Sequence, residues 1–414
     1  MAPHLFPRAI DRVVAQDLLP VFPAIFLVGP RGSGKSTSMA RLADTVLDLS
    51  VPGTRLAASE DPDGILASAT GTVLIDEWQE APEIMGAVKR LVDKDPENTP
   101  GRFIITGSVR AAHQAATWPG TGRLIRLRLY GLTQAELEGD GDYNPIDTLY
   151  SPEPPKFGTS TLSRADYLER IVAGRFPSVV GLEGRNRSRW FSAYIEQLVE
   201  RDAGQLLDHK PRPAQVRSVL NSCAARTAQE LNKNATAADG GMDYRAAERI
   251  EGLLEDLSIV LRVPAWHTKR LKRLTLTPKI HITDAGMAAY LLQVGADELG
   301  RSPALIGPLF ESFVVAELAA HLETAAEETG LFHLRDRDGR EVDVVLESRG
   351  SVVALEIKSS TKVDRSDAKG LIWLRDQLGD KFHRGAVLYS GSLPFQLADR
   401  IWALPLSTLW GVGA

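Results

Sequence analysis

Residues 24–36 read AIFLV followed by GPRGSGKS, an apolar run that leads directly into a glycine-rich segment ending in lysine and serine. Five consecutive apolar residues predict a buried β-strand, and the residues after the glycines predict the opening of a helix. Glycines let a backbone turn tightly enough for several N–H groups to point inward, which is typical of a loop that binds phosphate. The stretch therefore predicts a P-loop nucleotide-binding domain in an α/β fold.

The P-loop predicts both a nucleotide and a metal ion as cofactors. The Lys35 ammonium would contact phosphate, and the Ser36 hydroxyl would be a ligand of Mg²⁺. A chance glycine-rich turn is the alternative, but the strand before it and the helix after it favour the P-loop. We expect ATP and Mg²⁺ to bind here, with the nucleotide and its ion contacted by Gly29, Pro30, Arg31, Gly32, Ser33, Gly34, Lys35, Ser36, Thr37 and Asp76.

Two later strands end in polar residues suited to the same site. Residues 72–77 read TVLIDE, an apolar strand that ends in two carboxylates. Since the carboxyl ends of such strands face the ligand crevice, Asp76 is expected to hold Mg²⁺ through its water shell and Glu77 to orient and deprotonate water. The strand at 103–106 ends in Thr106, which we expect to sense the γ-phosphate, with Ser108 behind it.

An arginine that reaches the nucleotide is harder to choose. Arg123 follows Gly122 at the start of another predicted strand and could serve a nucleotide in its own or a neighbouring subunit. An ordinary surface arginine is the alternative, and Arg110, Arg126 and Arg128 compete for the role.

The composition bounds the class of protein. A chain of 414 residues with 43% hydrophobic and 24% charged residues predicts two to four globular domains. The single Cys223 cannot form an internal disulfide, and the scattered histidines show no zinc-ligand spacing. We saw no signal peptide and no apolar run near the roughly 20 residues that span a bilayer, so a cytoplasmic protein without a membrane partner is expected.

The chain predicts four regions. Strands at 24–28, 72–75, 102–106 and 124–129 predict a parallel sheet in a nucleotide-binding domain over residues 1–155. Helical periodicity predicts a helical lid or linker over 156–210. Helix, broken helix, helix and two strands predict a winged-helix-like domain over 211–300, although these helices could merely bridge domains.

The net charge and one basic segment indicate where a nucleic acid could bind. The net charge of -5 confines nucleic-acid binding to local patches. The segment 267–273 is such a patch, and as a wing it would contact DNA phosphates through Lys269, Arg270, Lys272 and Arg273.

Residues 301–414 predict a small α/β domain with a second candidate site. A helix at 309–323 precedes strands at 331–334, 341–346, 352–357 and 385–389. In the hairpin, Asp343 should meet Glu356 and Lys358, because alternate side chains share a face. Two carboxylates that hold Mg²⁺ beside a lysine suit phosphodiester hydrolysis, and Glu311 would be a further metal ligand. Such a domain can also bind without cutting.

The chain resembles prokaryotic AAA-type ATPases that join a P-loop domain to a C-terminal domain of unknown function with a restriction-endonuclease-like, PD-(D/E)xK core. The resemblance rests on segments 75–79, 106–108, 122–123, 174–177, 200–202, 279–286, 309–314, 339–343 and 356–360. It implies an N-terminal P-loop AAA-type ATPase domain, a helical lid, a winged-helix-like middle domain and a C-terminal restriction-endonuclease-like α/β domain. The acidic, glycine- and proline-rich stretch 138–163 looks longer than the connector in that group.

Two functions follow as hypotheses. The first is an ATP-driven DNA-processing protein, in which the nucleotide state repositions the middle and C-terminal domains on DNA. The second is an ATP-dependent regulator or defence-type sensor that binds DNA or a partner protein and never cleaves. A homo-oligomer is open in both, and a metabolic kinase is disfavoured because no acceptor-binding motif accompanies the P-loop.

Overall fold

A computed structural model describes residues 6–107, 122–152, 158–202, 211–274, 276–336 and 338–411. The chain divides into two compact units. The first comprises residues 1–132 with 256–258, and the second comprises 133–255 with 259–414. The nucleotide-binding domain was predicted to end at residue 155, whereas the long N-terminal stretch of the first compact unit ends at Leu132.

The first unit is built on a five-stranded sheet in which every pairing is parallel. Its strands lie in the order β2-β3-β4-β1-β5, with β1 Ala24–Val28, β2 Thr45–Asp48, β3 Val73–Asp76, β4 Phe103–Gly107 and β5 Leu124–Arg128. Its helices are Ala9–Arg12, Val13–Leu18, Lys35–Met39, Pro52–Glu60, Pro62–Ser68, Trp78–Glu80 and Ile84–Asp93. The predicted parallel sheet is confirmed, and β2, a short edge strand, was missed.

The apolar composition of β1 follows from burial on both faces of this sheet. Phe26 packs into one core cluster with Ile75, while Ile25 and Leu27 pack into a second cluster with Leu74. A strand covered on both faces has no solvent side to accommodate polar residues, so its sequence is continuously apolar.

The second unit begins with helices Gln134–Glu138, Pro145–Tyr150, Arg164–Ala173, Gly184–Gln197 and Leu198–Asp202. The first two pack within this unit: the Gln134 backbone N–H donates to Glu317, and Asn144 Nδ2 donates to the His321 carbonyl over 2.9 Å. These buried contacts explain why residues 133–152 belong to the second unit rather than to the sheet of the first.

A small three-stranded antiparallel sheet follows in the middle of the chain. Its order is β6-β8-β7, with β6 Gln229–Glu230, β7 Val260–Val263 and β8 Lys279–Ile282. Helices Pro213–Ala225, Lys233–Asp239 and Tyr244–Asp256 precede β7. Between β7 and β8 the basic segment contains a short helix, Arg270–Arg273, where the sequence predicted a loop. The two-residue strand β6 was also missed.

The C-terminal part carries a mixed six-stranded sheet in the order β13-β14-β12-β11-β10-β9. The strands are β9 Gly330–Arg335, β10 Glu341–Ser348, β11 Ser351–Lys358, β12 Phe382–Tyr389, β13 Phe395–Ala398 and β14 Ile401–Pro405. Helices Ala285–Leu291, Ala296–Arg301, Pro303–Leu322 and Lys369–Leu378 and the short helices Gly379–Lys381 and Leu406–Trp410 complete it. The last strand was predicted at 385–389, so β13 and β14 were missed.

One described helix, Pro303–Leu322, is long and apolar enough to span a membrane by length and composition. This helix differs from the expectation that no apolar run approaches 20 residues. Of its most apolar window, 67% is buried inside the protein. Burial on most sides accounts for the composition of a core helix.

Candidate functional site

The P-loop connects β1 to the helix Lys35–Met39 at the carboxyl edge of the parallel sheet. Gly34 precedes this helix with φ 98°, a left-handed conformation that side chains other than glycine rarely adopt. Ser33 is fully buried and Thr37 is exposed. The local sequence thus closes the loop tightly against the strand before the helix starts.

Lys35 is buried within this loop, with 8% of its surface exposed. Its Nζ donates to the carbonyl oxygens of Gly29 and Pro30 over 3.0 and 2.9 Å. Burial lowers the pKa of Lys35 to about 8, although Glu77 and Asp76 oppose that shift. The ammonium charge is therefore costly here until an anion stabilises it.

The carboxylate of Asp76 gathers two hydroxyls from other elements. Ser36 Oγ donates to Asp76 Oδ1 over 2.9 Å, and Thr106 Oγ1 donates to the same oxygen. Asp76 ends β3, Thr106 lies near the end of β4, and Ser36 is in the helix after β1. Parallel pairing brings all three to one edge of the sheet, beside the P-loop.

Glu77 follows in a strained turn. Its φ of 54° is left-handed, which in a residue other than glycine costs on the order of 1–3 kcal/mol and is found at functional sites. Gln79 Nε2 donates to Glu77 Oε2. Gln79 was not predicted as a site residue, although it lies in segment 75–79, which carried part of the resemblance.

Packing beneath the turn holds Glu77 in place. Trp78 is buried with its ring centroid 6.1 Å from that of Phe26. Gly107 lies against this turn, where a Cβ would come within 2.5 Å of the Trp78 ring and 2.3 Å of Gln79 Oε1. A glycine at the end of β4 is therefore required for this packing.

The structure places Arg123 away from this edge. Val28 pairs with Arg128 and Ala24 with Leu124, so Arg123 lies at the amino end of β5, opposite the P-loop. There it forms an ion pair with Asp93. A residue that precedes a parallel strand sits at the far edge of the sheet, so this position disfavours the alternative in which Arg123 serves its own P-loop.

The competing arginines have other surroundings. Arg126 lies over the Phe26 ring at 5.7 Å, and Arg128 lies over the Tyr130 ring at 5.9 Å. Arg128 is at the P-loop edge by register. Two further candidates, Ser108 and Arg110, lie outside the described residues.

In the C-terminal sheet, the predicted residues of the hairpin do come together. Val344 pairs with Leu355, which sets Asp343 beside Glu356. Asp343 Oδ2 accepts from the Ile357 backbone N–H over 2.8 Å. Lys358 Nζ donates to Glu356 Oε1 over 2.7 Å.

A second lysine, not anticipated from the sequence, lies among these carboxylates. Lys279 Nζ is 2.8 Å from Glu311 Oε1, 2.8 Å from Glu341 Oε1 and 4.0 Å from Asp343 Oδ1. Its side chain is 2% exposed. The sequence offered no signal for this contact, because β8, β10 and the helix Pro303–Leu322 meet only in the tertiary structure.

The electrostatics of this carboxylate cluster, Glu311, Glu341, Asp343 and Glu356, reflect burial and crowding. Burial, and then the neighbouring Asp343, raises the pKa of Glu311 and that of Glu356 to about 8. Burial alone would lower the pKa of Lys279, but Glu311, Asp343 and Glu341 outweigh it and raise that pKa. The lysine is thus the cation that neutralises the cluster.

This arrangement does not fit the predicted metal site of Asp343, Glu356 and Glu311. Among the residues that the structure describes, no group of three or more His, Cys, Asp or Glu side chains is placed to hold a metal ion. The reason is geometric: the Lys279 ammonium lies between Glu311 and Asp343, and Glu356 is paired with Lys358.

The basic segment is only partly available for a partner. Arg273 forms a 2.6 Å ion pair with Glu347 and lies 5.2 and 4.9 Å from the Trp266 and Phe332 ring centroids. Its side chain is 12% exposed. The prediction that Arg273 contacts phosphate is corrected by these internal contacts, while Lys269 and Lys272 remain exposed.

Segments 174–177 and 279–286, which both carried the resemblance, contact each other. The Arg175 backbone N–H donates to Asp284 Oδ2, and the Met287 N–H donates to Asp284 Oδ1, both over 2.8 Å. The Arg175 guanidinium lies 3.7 Å from buried Glu317. These contacts tie the helix Ala285–Leu291 to the preceding helical region and imply stability rather than chemistry.

Three parts of the chain match known protein families, and only one of these families has a described function. Residues 21–138 match an AAA domain family. Residues 164–298 and 306–409 each match a domain of unknown function, DUF8612 and DUF4143 respectively. The N-terminal part of the chain is therefore similar to AAA domains. The match at 164–298 runs across the boundary predicted at residue 210.

Two related proteins match nearly the whole chain, but their names state no activity. An uncharacterized protein of Mycobacterium tuberculosis is 28% identical over 405 residues, covering 95% of this chain and 82% of the relative, and one of Mycobacterium bovis matches equally. A Thermotoga maritima RuvB structure has a TM-score of 0.27 and 17% identity, covering 61% of this chain and 87% of that one. A Vibrio cholerae protein has a TM-score of 0.20 and 12% identity, covering 94% and 96%. Similarity this low supports no conclusion about function.

Proposed function

We propose that this protein binds ATP together with Mg²⁺ at the P-loop and hydrolyses the γ-phosphate bond. The observation that carries the proposal is the convergence of Ser36 and Thr106 on the Asp76 carboxylate, directly beside buried Lys35. Hydroxyl, carboxylate and ammonium at the carboxyl edge of a parallel sheet are the groups that phosphoryl transfer uses.

Binding falls to the loop and the helix that follows it. Backbone N–H groups of residues 32–36 would cradle the phosphates, and Lys35 would exchange its two carbonyl contacts for phosphate oxygens. Anionic phosphate would also restore the Lys35 pKa that burial lowers.

The oxygen donors beside the loop fit Mg²⁺. Ser36 would hold the ion directly and Asp76 through its water shell, since hydroxyl and carboxylate oxygens are its preferred ligands. When bound, Mg²⁺ neutralises charge that develops on the phosphates. The hydrogen bond from Thr106 keeps Asp76 oriented toward Ser36.

The catalytic base in this proposal is Glu77. Its carboxylate, held by Gln79 in the strained turn, would orient a water molecule and accept its proton as the γ-phosphate bond breaks. Thr106 would sense whether the γ-phosphate is present. Arg123 remains a candidate only for a neighbouring subunit, which requires an oligomer.

For the rest of the chain we favour the non-cleaving alternative: an ATP-dependent regulator that binds DNA or a partner protein. The observation behind this choice is Lys279, whose ammonium lies within 4.0 Å of three of the four carboxylates of the cluster. A winged-helix-like middle domain, DNA contacts through Lys269 and Lys272, and a cytoplasmic location belong to the same proposal. Cleavage of DNA by a restriction-endonuclease-like domain is the competing proposal.

The test of the ATPase separates binding from turnover. Lys35→Ala should abolish ATP binding in calorimetry, because the phosphates lose their ammonium contact. Glu77→Gln should still bind ATP but hydrolyse it roughly 100-fold or more slowly, because general-base catalysis contributes that much. Lys94→Ala, an exposed change in the same unit, is the matched control and should behave as wild type. Wild-type turnover by Glu77→Gln would remove Glu77 from the mechanism.

A further inference from the structure

A buried ammonium holds the carboxylate cluster of the second unit together. Lys279 comes from β8 of the middle sheet, whereas Glu311 lies on the helix Pro303–Leu322 and Glu341 and Asp343 lie on β10. The 2.8 Å distances from Nζ to Glu311 and Glu341 are those of direct charge-assisted hydrogen bonds. One cation therefore connects three separate elements.

The position of Lys279 is fixed by the backbone on both sides. β8 pairs with both neighbours, so that Lys279 lies opposite Glu230 on β6 and opposite Val263 on β7. The adjacent Ile280 and Ile282 are buried. A lysine is almost never buried this fully unless it is paired, so its carboxylate partners account for its place in the core.

Two further carboxylate oxygens of the cluster also have internal partners. Asp343 Oδ2 accepts from the Ile357 N–H, and Glu356 Oε1 accepts from Lys358. A divalent ion needs several oxygens at about 2.0–2.6 Å around one centre. The Lys279 ammonium lies within 4.0 Å of Glu311, Glu341 and Asp343, so its positive charge opposes a divalent ion that these carboxylates would share.

We propose that Lys279 is the resident cation of the carboxylate cluster and that it excludes divalent metal from the second unit. The cluster is a site whose cation is supplied by the chain itself. The domain accordingly works without metal-dependent hydrolysis, as a binding or coupling element. This inference concerns the second unit and stands independently of ATP hydrolysis at the P-loop.

Removal of the ammonium should convert the cluster into a metal site. Lys279→Met retains an unbranched side chain but leaves Glu311, Glu341 and Asp343 without their shared cation. Oxygen ligands alone select ions such as Mn²⁺, Mg²⁺ and Ca²⁺. The variant should therefore gain affinity for Mn²⁺ that the wild type lacks.

The experiment is a Mn²⁺ titration of the full chain, without nucleotide, followed by the electron paramagnetic resonance signal of free Mn²⁺. The wild type should bind none, and Lys279→Met should bind one Mn²⁺ per chain. Lys279→Met with Asp343→Asn should lose that ion again. Lys362→Met, which removes an exposed lysine near the cluster's sheet, should match the wild type.

Two outcomes would overturn the proposal. One is a wild type that binds one Mn²⁺ per chain and loses it in Asp343→Asn. The other is a folded Lys279→Met, verified by circular dichroism, that binds no Mn²⁺. If Lys279→Met does not fold without metal, Lys279→Met with Glu341→Gln carries one carboxylate fewer and is titrated in its place, with the same expected gain. The wild-type titration tests the exclusion of metal whatever the variants do.

Discussion

The two compact units each contain a buried lysine beside carboxylates, and the two lysines are in opposite electrostatic situations. Lys35 donates only to backbone carbonyls among its described hydrogen bonds, and burial lowers its pKa to about 8. Lys279 contacts two carboxylates at 2.8 Å, and those charges raise its pKa. Among the described residues, no ion pair is formed by the first lysine, whereas the second is paired with more than one carboxylate.

This difference separates a site that awaits a ligand from one that is already complete. An ammonium without a carboxylate partner favours a bound anion, which for Lys35 is phosphate in our proposal. An ammonium between Glu311 and Glu341 favours neither an anion nor a metal ion. In our proposals, the chemistry that residue types alone suggested for both places therefore applies only at the P-loop.

The largest expected effect concerns the stability of the protein without ligands. Lys279→Met should lower the free energy of unfolding by about 3–5 kcal/mol, because it leaves buried carboxylates without their cation. Lys35→Met should instead raise it by about 1 kcal/mol, since it removes a charge that burial disfavours. Urea unfolding of both variants at pH 7 measures the contrast. An equal decrease in the free energy of unfolding of both variants would contradict the proposed difference between the two lysines.

The pH dependence of the free energy of unfolding provides a second test, because the charge of Lys279 affects the titration of His333. Burial, and then the charge of Lys279, lowers the pKa of His333 from 6.5 to about 4. Between these values the unfolded chain takes up a proton that the native protein does not. The free energy of unfolding should therefore fall as pH drops from 6.5 to 4, by about 3 kcal/mol for this residue.

The His333 contribution can be isolated by substitution. His333→Gln retains a donor for the Thr277 carbonyl, which His333 Nε2 contacts over 3.1 Å, but cannot titrate. Its unfolding free energy, measured by urea at each pH, should depend less steeply on pH over this range. A slope identical to that of the wild type would show that His333 is not the titrating group.

The smallest expected effect is a difference in stability between two substitutions in the basic segment, one of a largely buried cation and one of an exposed cation. Arg273→Ala should lower the free energy of unfolding by about 2 kcal/mol, since it removes the ion pair with Glu347 and the aromatic contacts. Lys269→Ala should change stability by less than about 0.5 kcal/mol but should flatten the salt dependence of any DNA binding. DNA affinity unaffected by Lys269→Ala together with Lys272→Ala would point to a protein partner.

Features of the sequence that lie in one contiguous stretch were predictable. The P-loop, the strand that ends in Asp76 and the strand that ends in Thr106 each follow from a local pattern, and the parallel sheet follows from their alternation with helices. The edge strands β2, β6 and β13 were missed because short or partly exposed strands lack a strong apolar run. The interior strand β14 was also missed, although it is apolar and mostly buried. The far-edge position of Arg123 was deducible, because it precedes a parallel strand.

Contacts between distant segments were not predictable. The proximity of Asp343 and Glu356 followed from a hairpin, but that of Lys279, Glu311 and Glu341 depends on how three elements pack. Arg273 likewise read as a solvated charge, and only the fold places Glu347 and two aromatic rings beside it. Residue type and spacing therefore suggested a metal site that the tertiary structure fills with a lysine.

The central claim is tested most directly by counting Mn²⁺ ions on Glu77→Gln protein with and without ATP. The slow turnover expected of this variant keeps ATP intact during the measurement. We predict one Mn²⁺ per chain with ATP, held at the P-loop, and none without it, because Lys279 occupies the carboxylate cluster. No bound ion with ATP would contradict the P-loop assignment, and one bound ion without ATP would contradict the assignment of Lys279.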